Sequence, residues 1–166
     1  ANHFAKDRAM THSIRTVLWF NGRGREAAEF YCRLLPGSHI HSSFASNEGG
    51  PDGDHHFEVI DFTLNGVPYQ ILDAGAYFPL SECVSIMVVV PDQAETDRYW
   101  NATVDNGGQE SQCGWCKDRW GLSWQITPRA LTEALAAGGG EAKRVFEAMM
   151  PMKKIDIAAI EAARRG

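Results

Sequence analysis

One order of elements, written twice, constrains this chain more than any single motif. Strand, helix and three further strands occur in the first half and recur, more compactly, in the second. In the first copy, Ile14 to Phe20 reads as a strand, and Asn21 to Gly24 as a polar, Gly-containing turn. A helix follows from about Arg25 to Leu35, with Ala27, Phe30, Tyr31 and Leu34 at helical spacing on one face. Pro36-Gly37 stops it, and His39 to Phe44 reads as the next strand. After a loop from Ser46 to Asp54, rich in Gly, Asn and Asp, Phe57 to Leu64 and Val67 to Leu72 flank Asn65-Gly66. That dipeptide between apolar runs signals a type I′ hairpin.

In the second copy, Val84 to Val90 is the opening strand. Asp92, with Glu95 three residues later, has the spacing of a capping box for a helix whose buried face is Thr96, Tyr99, Trp100, Thr103 and Val104. Asn106-Gly107-Gly108 ends that helix. Gln109 to Cys113, a short piece around Trp115, and Leu122 to Ile126 supply the remaining strands. The repeat is one of order, with little identity between halves. It predicts an α+β fold of two βαβββ modules, each a curved, mainly antiparallel sheet backed by its helix.

Beyond the repeat, Thr127-Pro128 is expected to start a helix and Gly138-Gly139-Gly140 to break it. Val145, Phe146, Met149 and Met150 form an apolar stripe, and Asp156 caps a last helix bearing Ile157 and Ile160. Such stripes are packing faces for a sheet or a partner subunit. The expected organisation is an N-terminal extension without order at 1–13, paired modules at about 14–80 and 81–127, and a helical extension at 128–166.

The chain has 166 residues, 44% of them hydrophobic, which suffices for a sizeable core. A net charge of −5 with dispersed basic residues argues against a nucleic-acid surface. The longest apolar run, Ile86 to Val90, is too short to span a bilayer. Ala1 to Met10 lacks the apolar segment of a signal peptide. Four cysteines, Cys32, Cys83, Cys113 and Cys116, fit a reduced, cytoplasmic protein.

The richest motif is Lys117-Asp-Arg-Trp-Gly-Leu-Ser-Trp-Gln-Ile126, a tight turn from Asp118 to Gly121 followed by an alternating strand. It resembles the Asp-x-x-Gly turn and last strand of the vicinal oxygen chelate superfamily, which includes glyoxalase I, bleomycin-resistance proteins and extradiol dioxygenases. Thr16-Val-Leu-Trp-Phe-Asn-Gly, Glu26-Ala-Ala-Glu-Phe-Tyr, Leu35-Pro-Gly-Ser, Asp97-x-x-Trp100, Cys113-Gly-Trp and Met152-Lys-Lys-Ile-Asp-Ile-Ala resemble its PhnB-like branch. Members of that branch often carry the label 3-demethylubiquinone-9 3-methyltransferase. The label finds no support in the sequence, which has no Gly-rich loop of an S-adenosylmethionine Rossmann fold.

The resemblance implies four ligand positions, on the first and fourth strands of each module. Mapped by landmarks, these are Thr16, Gln70, Ser85 and Gln125, the last standing four residues past Gly121 where metal-dependent relatives carry a carboxylate. The set contains no carboxylate, imidazole or thiolate, so no metal and no cofactor are expected there. Neutral oxygens and amides suit a pocket for an uncharged or polar small organic molecule, or simply bond to one another and to backbone.

Rival constellations are weaker. Cys113-Gly-Trp-Cys116 has redox spacing but no helix follows it. His55 and His56 point to opposite faces of a strand, whereas His39 and His41, two apart, share one but have no third ligand assigned. The leading expectation is therefore a small-molecule-binding protein of unproven activity. The alternatives are a metal-assisted isomerase, lyase or dioxygenase with other ligands, and a resistance protein that sequesters a flat molecule. Because the superfamily pairs modules within or between chains, a homodimer is expected, with no nucleic-acid or membrane partner.

Overall fold

The computed structural model describes residues 13–47 and 56–166. The expected N-terminal disorder, the loop at 48–55 and His55 fall outside them. The chain divides into two compact units, one ending at Gly75 and the other running from Ala76 to Gly166.

The first unit contains β1 (Thr16–Phe20), α1 (Gly24–Leu34), β2 (His39–Ser46), β3 (Phe57–Leu64) and β4 (Val67–Asp73). Its sheet has the order β1-β4-β3-β2. β1 runs parallel to β4, and the other two pairings are antiparallel. Asn65 and Gly66 both take positive φ, 44° and 81°, as a type I′ turn requires. This two-residue turn pairs Leu64 with Val67 and so sets the register of the whole hairpin. Ala27, Ala28, Tyr31 and Leu34 of α1 are buried, as are Ile60, Phe62 and Ile71 of the sheet that α1 covers.

The second unit repeats the plan with β5 (Ser85–Val90), α2 (Gln93–Val104), β6 (Gln109–Glu110), β7 (Trp115–Lys117) and β8 (Ser123–Pro128). The order β5-β8-β7-β6 is that of the first sheet, and β5 again runs parallel to the last strand. Both sheets are thus mixed, because each first strand joins through a helical crossover rather than a hairpin. Thr96, Tyr99, Trp100 and Thr103 are buried on α2, as are Cys116, Trp124 and Ile126 on β7 and β8.

Three helices complete this unit: α3 (Arg129–Ala136), α4 (Gly139–Met149) and α5 (Ile157–Arg165). Pro128 ends β8 and precedes α3 instead of opening it, and Gly139-Gly140 lies inside α4, so Ala137 and Gly138 separate the helices. The three share a core of Leu131, Ala134, Val145, Ile155 and Ile160. Of the stripe on α4, Val145 is buried, whereas Phe146 and Met150 are each 50% exposed. The segment before α5 is clasped to the module. Cys113 N donates to Met152 O and Gly114 N to Lys153 O, each at 2.7 Å. Gln93 donates to Ile155 O and accepts from Ile157 N. Gly114 has φ of 82°, and a Cβ there would lie 3.0 Å from both Ile126 O and the Ile155 side chain, which reserves the position for glycine.

Candidate ligand-binding site

Each sheet has one face covered by its helix and one that is more open. In the first unit the open face follows from the register. Val17 pairs with Gln70, and Gln70 with Asp61, so these three side chains share a face. Thr16 pairs with Tyr69 and alternates in phase with buried Leu18 and Phe20. The register therefore puts Val17, not Thr16, beside Gln70. Between β1 and α1, Gly22 and Arg23, with φ of 77° and 65°, form an irregular turn that does not carry strand phase into the helix.

Asp61 is the residue that sequence reasoning missed. Gln70 Nε2 donates to its Oδ1 at 2.8 Å and Arg15 Nη1 at 2.6 Å, while Ser42 Oγ donates to Oδ2 at 3.3 Å. The Gln70 hydrogen bond is the main reason that the Asp61 carboxyl lies below its usual range; Arg15 and Ser42 add to the effect, and partial burial opposes it. A signal for this contact was present. Counting outward from the Asn65-Gly66 turn pairs Asp61 with Gln70, and Asp61 is the charge that interrupts Val59-Ile60-Asp61-Phe62.

In the second unit Ser85 and Gln125 come together. Gln125 Nε2 donates to Ser85 Oγ at 2.8 Å. Met87 pairs with Gln125 across the parallel strands, Trp115 pairs with it from the other side, and Val89 continues the face. Met87 and Val89 are 50% and 48% exposed. This patch is a neutral hydrogen-bonding pair framed by apolar and aromatic surface, with Lys117, paired to Glu82, on the same face.

The Asp-x-x-Gly turn supports the patch from behind. Asp118 is buried, and its Oδ1 accepts from Trp120 N and Leu122 N, both at 3.0 Å. Its Oδ2 accepts from the Trp124 indole at 2.9 Å. Gly121, with φ of 96°, donates its N–H back to Asp118 O. The carboxylate thus builds the turn that sets the phase of β8, and with it the direction of Gln125.

The backbone N–H groups at the start of α1 are engaged by the protein itself. Asp73, at the end of β4, accepts from Gly22 N at 2.5 Å and Gly24 N at 2.7 Å. A Cβ on Gly24 would approach Asp73 Oδ2 to 2.9 Å. A cleft of about 380 Å³ nearby is lined by Arg23, Arg25, Glu26, His56 and Glu58 among others. Glu58 is held there by Arg25, whose Nε and Nη2 both reach Oε1.

All four cysteines are free. Cys116 is buried, and its thiol is pushed up to about 12, by burial first and by Asp118 second. Cys113 Sγ instead faces the Met150 carbonyl at 3.6 Å. Among the described residues no three His, Cys, Asp or Glu side chains are grouped to hold a metal. The mapped positions do not fit a divalent ion either. Ser85 and Gln125 are neutral and bonded to each other, Thr16 offers only a neutral hydroxyl, and the Asp61 charge beside Gln70 is matched by Arg15. No helix is long and apolar enough to cross a membrane among the described residues.

Two βαβββ sheets with this strand order, and a turn-anchored last strand carrying Gln125 on its open face, define a vicinal oxygen chelate fold. Within that class the chain belongs to the 3-demethylubiquinone-9 3-methyltransferase family, the PhnB-like branch, whose profile matches residues 12–127. A PhnB protein from Bacillus cereus carrying the same label is 28% identical, with a TM-score of 0.62 over 70% of this chain and 99% of that one. A protein from Pseudomonas aeruginosa is 24% identical, with a TM-score of 0.56 over 70% and 98% of the two chains. The fosfomycin resistance protein FosX from Listeria monocytogenes shares the fold at 12% identity, with a TM-score of 0.53 over 76% and 98%. No match was found among curated protein sequences.

Proposed function

We propose that this chain binds a polar or uncharged small organic molecule on the open sheet faces and holds no metal at the mapped positions. The observation that carries this reading is the Ser85–Gln125 pair beside exposed Met87 and Val89. An amide and a hydroxyl orient a ligand by hydrogen bonds, while apolar and aromatic neighbours supply contact area. The same pair is chemically unsuited to a divalent ion, which needs charge or imidazole.

Methyl transfer, which the family's name suggests, is not part of this reading. Binding of S-adenosylmethionine on a doubly wound fold uses a parallel sheet and a Gly-rich turn leading into an open helix N-terminus. Here each sheet has one parallel pair, and the N-terminus of α1 already receives Asp73. We also propose a cytoplasmic homodimer. Free cysteines suit a reducing compartment, and exposed Phe146 and Met150 favour a symmetric contact.

The test is a thermal-shift screen of small organic molecules on chelator-treated protein, repeated on S85A and Q125A. A ligand that raises the melting temperature of the wild type but not of the variants supports the reading. Elemental analysis of the H39N/H41N variant, which lacks the surface imidazole pair, should find no stoichiometric zinc, nickel, iron or manganese. One tightly held ion per chain at Gln125 overturns the reading in favour of a metal-assisted isomerase, lyase or dioxygenase. Q125E should bind metal poorly, because one carboxylate without partners is costly to bury.

A further inference from the structure

We infer that His39 and His41 form a surface chelate for one borderline divalent cation of the zinc, nickel or copper(II) class. The two residues flank Ile40 on β2, the edge strand of the first sheet. His39 is in register with Thr63, and Ile40 with Phe62. The register then slips between Ile40 and Ser42, leaving His41 as the extra residue of a β-bulge. His41 reaches Thr63 as well, its Nε2 lying 2.5 Å from Thr63 Oγ1. Both rings therefore gather at one threonine, with centroids 4.2 Å apart and planes at 74°. Both residues are exposed.

Two imidazoles brought this close on one face offer two nitrogen donors within reach of a single ion. Imidazole nitrogen binds zinc, nickel and copper at about 2.0–2.1 Å, as inferred from zinc sites, and binds magnesium and calcium poorly. Thr63 supplies the orienting outer contact. When His41 donates its Nε2–H to Thr63 Oγ1, the lone pair of Nδ1 is left for the metal. The exposed edge position leaves the remaining coordination sites to water or to donors of a second molecule. Asp61 is on the neighbouring strand but engaged by Gln70, Arg15 and Ser42, so the set is two imidazoles without a carboxylate. This chelate shares no residue with Gln70, Ser85 or Gln125 and does not rest on the small-molecule reading.

The experiment titrates the full chelator-treated chain with nickel or zinc chloride by calorimetry, and follows nickel by NMR broadening of backbone amides. The expected result is one ion per chain, with broadening centred on His39, His41 and Thr63. H39N and H41N should each weaken binding by more than the roughly 10-fold that loss of an outer-shell partner costs in metal sites. T63V should weaken it less, H56N should leave it unchanged, and magnesium chloride should give no signal. Unchanged melting of H39N, whose ring is exposed, shows that the fold is intact. Binding that survives the H39N/H41N double variant, or that follows H56N, overturns the inference. An ion located at Gln125 would overturn the small-molecule reading instead.

Discussion

The two modules share one topology but differ in the polar groups they place on the open face. The open face of the first sheet carries a charged network, Arg15–Asp61–Gln70–Ser42, and a pair of histidines. The equivalent face of the second carries a neutral pair, Ser85–Gln125, among Met87, Val89 and Trp115, with one cation, Lys117, paired to Glu82. The helix starts differ as well. α1 begins after left-handed Arg23 with no side-chain cap of its own, and borrows Asp73 from a strand 49 residues away. α2 is capped locally, Asp92 Oδ1 accepting from Glu95 N at 2.9 Å. Its capping box is only half formed, because the Glu95 side chain turns to Arg98. The buried acids differ in the same way, Asp73 tying helix to sheet in one unit and Asp118 tying turn to strand in the other. A topology can therefore be repeated while the groups that hold it, and the faces it offers, are chosen independently.

Breaking the Asp118 turn should give the largest effect. D118A strands three donors, two of them buried, so a loss of about 3–5 kcal/mol is expected in urea unfolding. Since the turn sets the phase of Gln125, ligand binding should fall with stability. A loss under about 1 kcal/mol would mean that the turn holds without its carboxylate.

The contrast between remote and local caps is sharpened by D73A against D92A. Asp73 is buried and serves two N–H groups, so its loss should cost about 2–3 kcal/mol, against about 1 kcal/mol for the exposed cap Asp92. Equal costs, measured by the same unfolding assay, would remove the distinction.

The smallest effect belongs to Asp61. Its carboxyl is depressed in the folded state, so its contribution to stability is present above the ordinary carboxylate pKa and is lost as pH falls through the lower folded value. The pair with Arg15 is partly exposed and screened, which limits the contribution to under about 1 kcal/mol. The stability gap between wild type and D61N should therefore shrink as pH is lowered from about 5 towards 2. A gap that widens on acidification would show that Asp61 is destabilising where it stands.

Much of the fold was legible in the chain because its signals are local. The strand and helix periods, the Asn65-Gly66 turn, the Asp118–Gly121 turn and the caps at Asp92 and Asp156 all act over a few residues, and each is found where the pattern puts it. Ser85 and Gln125, both read from the sequence as pocket positions, hydrogen-bond to each other across β5 and β8.

What the tertiary structure alone decided are relations that cross irregular backbone or long sequence distance. The phase of β1 is not carried through the left-handed turn at Gly22-Arg23, and the pairing register puts Val17 beside Gln70. The bulge at His41 has no residue signature, yet it brings two imidazoles onto one threonine. Asp73 capping α1, and residues 152–157 clasped onto Gly114 and Gln93, join segments tens of residues apart. Local preferences determine which elements form. Which side chains meet depends on how a nearly cancelling sum of burial, hydrogen bonding and chain entropy is resolved over the whole chain, and no local window contains that sum.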